Sequence, residues 1–345
     1  MVAGFALFYG VAGLAGTRWM RTLPWLVLAL AIGFGLLVLL TTRWTPSKIP
    51  VLPPSIYEML PSVRLPLDVN GIHPNLAGHM MALLLPPAVA LALWAPNRRL
   101  RWAAIAVTLL LGFALLLSQS RGAWVAVAGA LAIMPGLRYR RWWWVVLALL
   151  LILIALAVLQ GPGRLESLVF PANAGDEISV NTLPGRLELW TRALTLLRDF
   201  GMTGGGAGNF EQVLLTLYPP FFTGIMGGFG HAHNVYLQTA VDFGLPGLIV
   251  FLALLIGLAA SLASAIRLGR AQPAEDVAVS LAIGLFGSVL VVAIHGVVDA
   301  PLATARVYAL VFVLFGAAAA ASSHLIGIAC RPRTIEIAED IATLY

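Results

Sequence analysis

His233 and Asn234 are followed nine residues later by Gly244-Leu245-Pro246-Gly247, an H-N-x9-G-x-x-G string where a long polar loop enters an apolar run. An imidazole can take or give a proton near neutral pH. In so apolar a chain, an ionisable ring beside a membrane face reads as used, since ionisable groups are expensive there. Two arginines lie in short polar breaks. Arg121 sits in Ser118-Gln119-Ser120-Arg121-Gly122, flanked by small residues, and reads as functional. Arg306 follows Asp299-Ala300-Pro301; it suits a headgroup anchor partnered by Asp299 and a substrate-binding cation equally. Arg186 follows Pro184-Gly185 in the first turn of a predicted helix, where a cation meets the unfavourable end of the helix dipole. An anion nearby would repair that mismatch.

Other candidates carry weaker chemistry. His231-Ala232-His233 has period-two spacing, but no cysteine or matching carboxylate pair accompanies it and no D-x-D pair occurs, so neither a metal site nor a cofactor is expected. The run Gly204-Gly205-Gly206-Ala207-Gly208-Asn209 could bring amides to a phosphate, yet no lysine and hydroxyl pair follows; a flexible turn explains it better. His73-Pro74-Asn75 and His79 begin an apolar segment, and His295, inside another, reads as a packing histidine. Gly244 and Gly247 suit a tight bend and a close helix approach, and Asn234 could cap the helix that follows it.

The elements that must hold these residues are membrane spans. The 345 residues are 60% hydrophobic and 10% charged with a mean hydropathy of +0.92, which excludes an ordinary soluble domain. About nine apolar segments recur, the first and fifth short. The chain divides into N-terminal spans and a first loop (1–72), central spans (73–160), a large loop (161–234), C-terminal spans (235–325) and a tail (326–345). Arginine clusters at 18 and 21, 98 to 101, 138 to 141, 267 and 270, and 331 and 333 fall in alternate connections, predicting those as cytoplasmic. The N-terminus and the loops Thr41 to His73 and Gln160 to His233 are then extracytoplasmic. The net charge of +6 follows from this pattern rather than from one basic face, so nucleic acid binding is not implied. No basic region precedes the first apolar run, so a cleaved signal peptide is not expected. Lone Cys330 allows no intrachain disulfide. Leu187, Trp190, Leu194 and Leu197 recur at helical spacing from Pro184 to Phe200, predicting an amphipathic helix on the outer membrane face.

Gly185-Arg186-Leu187-Glu188-Leu189-Trp190, Gly204 to Phe210, His231 to Gly247 and Ser120-Arg121-Gly122-Ala123-Trp124 together resemble the O-antigen ligase family and related O-antigen polymerases, from His73 to Phe251. The resemblance implies an all-α integral membrane protein of GT-C-like architecture in the bacterial cytoplasmic (inner) membrane. It implies transfer of a glycan from undecaprenyl diphosphate to an acceptor hydroxyl on the periplasmic side, the acceptor being lipid A core, another glycan or a protein. His233, Asn234, Gly244 and Gly247 match the family's motif; at the arginine motif of Arg121, Val125 stands where the family has leucine; Arg186 resembles the loop arginine. The family's architecture has more N-terminal spans. By this resemblance His233 is the base and Arg121 and Arg186 hold the diphosphate in an inverting, metal-independent displacement. Arg306, Asn234, His231, Arg192 and Asn209 are substrate-binding candidates. A transporter or flippase would also explain many spans, but no pair of matching interrupted segments occurs, and the polar candidates cluster on one face rather than at the midplane.

Overall fold

The computed structural model describes residues 2–44, 53–61, 63, 71–160, 183–219, 230–272, 275–300 and 304–330. Most of the first loop, the loop segment 161–182 and the tail with Arg331 and Arg333 lie outside the described residues. The described chain forms twelve α-helices: α1 (Val2–Ala12), α2 (Leu23–Thr41), α3 (Pro54–Met59), α4 (Pro74–Trp94), α5 (Arg98–Leu117), α6 (Arg121–Arg138), α7 (Trp142–Gln160), α8 (Leu183–Phe200), α9 (Phe210–Leu217), α10 (Val235–Gly269), α11 (Asp276–His295) and α12 (Ala305–Ala329). No strand is formed among the described residues; Thr42 and Ile72 make an isolated bridge that closes the neck of the first loop.

Each of the nine predicted apolar segments is a helix. Six of them, α2, α4, α5, α10, α11 and α12, are long and apolar enough to cross a membrane, which makes this a multi-pass membrane protein. The apolar parts of α1 and α7 are shorter, and α6 carries an arginine at each end.

Local chemistry fixes the helix starts. His73 Nδ1 accepts from the Asn75 amide ahead of Pro74, Asn97 Oδ1 accepts from the amides of Arg99 and Leu100, and Asn234 Oδ1 accepts from those of Tyr236 and Leu237. At the centre, α4 is buried along nearly its whole length, although Pro86 and Pro87 remove helix donors inside it. It is matched by α11, where Gly284 lies so close to Pro87 that a Cβ would stand 2.4 Å from the Pro87 Cα, and Ser288 Oγ donates to the Leu83 carbonyl at 2.7 Å. At the periphery α7 exposes Leu150, Leu153 and Ile154, as expected of a segment solvated by lipid chains.

A second, smaller core lies beside the bundle, where Leu189, Ala193 and Leu196 of α8 meet Phe210 and Leu214 of α9, Ala232 and Val241. The helix predicted at Pro184 to Phe200 is present, but its buried row differs from the predicted stripe. Leu187 and Leu194 are exposed, whereas Trp190 and Leu197 are half-buried. The sequence pattern could not separate an apolar face docked on protein from one turned outward.

This layer locks onto α10 through backbone alone. Gly244 has φ 73 and ψ −178, which bends α10, and a Cβ there would stand 2.4 Å from the Met202 carbonyl oxygen. The Leu245 amide donates to the Gly201 carbonyl and the Gly205 amide to the Val241 carbonyl, each at 2.7 Å. The glycine run is therefore a docking turn on the bend. Asn209 ends it, exposed, at the start of α9.

Candidate functional site

Five segments converge at one end of the bundle: the start of α4, the turn between α5 and α6, the start of α8, the loop before α10 and the end of α11. His233 closes the loop before α10 in the left-handed region, φ 47, a conformation that is uncommon outside glycine. Its main chain is held on both sides. The Trp190 indole donates to the Ala232 carbonyl at 2.9 Å, the Ala232 amide donates to Gln238 Oε1 at 2.7 Å, and the Val235 amide donates to the Gly296 carbonyl at 2.7 Å. Asn234 Nδ2 donates to the Val297 carbonyl at 3.0 Å while its oxygen caps α10. Asn234 thus ties the histidine loop to the end of α11.

The side chain of His233 faces a carboxylate: Nδ1 lies 3.3 Å from Asp299 Oδ1, which also accepts from the Ala300 amide at 2.9 Å. Such a partner fixes ring orientation and tautomer, with the proton on Nδ1 and Nε2 left as the basic atom. Burial pushes the Asp299 carboxyl up, but the hydrogen bond from His233 and the neighbouring histidines outweigh it and hold the group well below the usual carboxylate range. The His231 ring lies against that of His233, centroids 4.3 Å apart. Burial first, then His233, lowers His231 to about 4, so it is uncharged at neutral pH.

Arg186, in the first turns of α8, donates from its guanidinium to the Val298 carbonyl beside Asp299. Burial lowers its basicity and the charge of Asp299 raises it. Arg121 opens α6 directly after a buried turn in which Gln119 is also left-handed, φ 50, and donates to the Tyr57 hydroxyl of α3 at 2.8 Å. That turn packs on α4, since a Cβ on Gly78 would stand 2.6 Å from Ser118 Oγ. Gly122, next to Arg121, lies against the His295 ring, where a Cβ would stand 2.9 Å from Nε2. His295 in turn bonds His79 through the two Nδ1 atoms, one ring donating and the other accepting. His79 Nε2 is buried with no partner among the described residues. The pair expected to be plain helix-start and packing histidines is a buried coupled pair behind the arginine turn.

Residues 106–252 match the family model described as O-Antigen ligase. The resemblance read from the motifs is borne out over that segment, which ends one residue beyond the expected Phe251 and begins later than the expected His73. It supports an O-antigen ligase- or polymerase-type membrane glycosyltransferase in general terms. No curated protein matches the chain.

The matched segment holds Arg121, Arg186, Arg192, Asn209, His231, His233, Asn234, Gly244 and Gly247. The structure brings the neighbourhoods of Arg121, Arg186, His231, His233 and Asn234 to one place. Arg192 is paired with Glu188 along α8 at 2.9 Å, Asn209 ends the glycine turn, and Arg306 is the second residue of α12. Asp299, which the sequence marked as a partner for Arg306 and a second-line candidate, is the carboxylate of His233. His231, His233 and Asp299 each offer a ligand atom within 4.8 Å of the others, a set that could hold a divalent cation. Metal chemistry is therefore a matter for chelation, not for spacing alone.

Proposed function

We propose that the protein transfers a glycan from undecaprenyl diphosphate to an acceptor hydroxyl at the extracytoplasmic face of the bacterial cytoplasmic membrane. The observation that carries this reading is the pairing of His233 with half-buried Asp299 beside Arg186 and the Arg121 turn. His233 Nε2 takes the proton of the acceptor hydroxyl as its oxygen attacks the anomeric carbon. The bond from that carbon to the phosphate oxygen breaks, the electron pair leaves with the diphosphate, and configuration inverts. Guanidinium groups suit that leaving group because they stay charged and donate in a planar fork. Arg121 and Arg186 also open helices, so an anion there would gain from the dipoles that disfavour the arginines. His231, uncharged, lies against His233 on the acceptor side, with Arg306, Arg192 and Asn209 as outer contacts to the glycans. The acceptor is lipid A core, with a growing glycan or a protein hydroxyl as the variants of the same chemistry.

The test is release of polyprenyl diphosphate from a lipid-linked glycan by reconstituted protein. Release should require an acceptor and persist in a chelator. Vesicle flux of the donor without any transfer would replace this reading with transport.

A further inference from the structure

At the end of the bundle opposite His233, the connections before α2, before α5 and before α11 and the last turns of α12 enclose a cavity of about 1020 Å³. Its rim carries Arg18 and Arg21, both exposed and neither facing a carboxylate among the described residues; Arg18 stacks on Trp19 at 5.4 Å. Three other arginines of this end are held by partners. Arg138 pairs with Asp276 at 3.1 Å, Arg270 donates to the Leu137 carbonyl at 3.0 Å and Arg101 to that of Ala95 at 2.9 Å. The carboxylate in the cavity wall, Glu275, lies 3.0 Å from His324 Nε2. Among the described residues the two arginines at its mouth outnumber the one carboxylate of the wall, and Met20, Pro24, Leu100 and Leu281 make part of that wall apolar beside Thr17, Asn97 and Ser323.

We propose that this cavity binds one membrane phospholipid, its phosphodiester held by Arg18 and Arg21 and the first part of its acyl chains against the apolar wall. A free phosphate would meet the guanidiniums but leave the apolar wall in contact with water, whereas a phospholipid satisfies both halves of the site. The location agrees, since the site lies at the ends of membrane-crossing helices, where headgroups are at hand and basic pockets between spans take anionic lipid heads. Nothing in this inference depends on glycosyl transfer at the far end.

Native mass spectrometry of the delipidated whole protein tests it, with phosphatidylglycerol, phosphatidylethanolamine and inorganic phosphate as probes. Both lipids should give a single retained adduct and inorganic phosphate none. The double variant Arg18→Gln, Arg21→Gln should weaken retention at least tenfold, with an unchanged melting temperature. Ala278→Trp, which fills the cavity without altering charge, should displace the lipid as well, and it carries the test if the double variant does not fold. Equal retention in a folded variant of either kind, or phosphate bound as tightly as lipid, would overturn the proposal.

Discussion

The two ends of the helix bundle use charge in opposite ways. At the His233 end, Asp299 and Arg186 are half-buried around one site and His231 is held uncharged, with left-handed residues at Gln119 and His233 on either flank. At the other end the charges are exposed, as at Arg18 and Arg21, or sit in half-exposed pairs such as Arg138 with Asp276. Partly buried, mutually dependent charges lose more when one member is removed than exposed charges do, and exposed pairs contribute little. The first arrangement suits chemistry; the second suits orientation and anchoring.

Substitutions can break this contrast, beginning at the histidine. His233→Ala should lower polyprenyl diphosphate release by about 10²- to 10⁴-fold while donor retention persists; near-normal release would mean that another group is the base. Asp299→Asn keeps the shape but loses a charge-assisted hydrogen bond of about 1.5–3 kcal/mol, about 10- to 100-fold in rate. Gly244→Ala forces a side chain into a left-handed position against the Met202 carbonyl. It should destabilise by about 1–3 kcal/mol in a melting measurement.

The half-buried neutral ring of His231 gives a pH signature. Its folded value is depressed to about 4, so the unfolded chain takes up the proton first. The stability it contributes is complete above the ordinary histidine value of about 6.5 and is lost as pH falls from there toward about 4. Melting temperature should decline over that window, and His231→Gln should flatten the decline. The smallest effect belongs to the opposite end, where Arg138→Ala should cost no more than about 1 kcal/mol and leave transfer unchanged.

The helices were legible because an apolar run in a membrane leaves the backbone few alternatives, and the caps at His73, Asn97 and Asn234 punctuate them. The bend at Gly244 was legible for a similar reason, since glycine spacing reports backbone demands directly. What spacing could not show were partnerships across the fold. His233 meets a carboxylate 66 residues away, and His79 meets His295 across 216. The stripe of α8 was misread in the same way, because Leu189, Ala193 and Leu196 are buried by helices that local periodicity does not name.

The bend in α10 also decides what sets the height of the reaction centre. At about 1.5 Å per residue, its 35 residues would make a straight rod of about 52 Å, far more than a hydrocarbon core of about 30 Å. The stretch beyond Gly244 is by itself long enough to cross that core. The residues before the bend therefore take their direction from α8 and α9, and the histidine loop rides with that layer. A thicker or thinner bilayer would tilt the spanning part of α10 and leave the distance from His233 to Asp299 as it is.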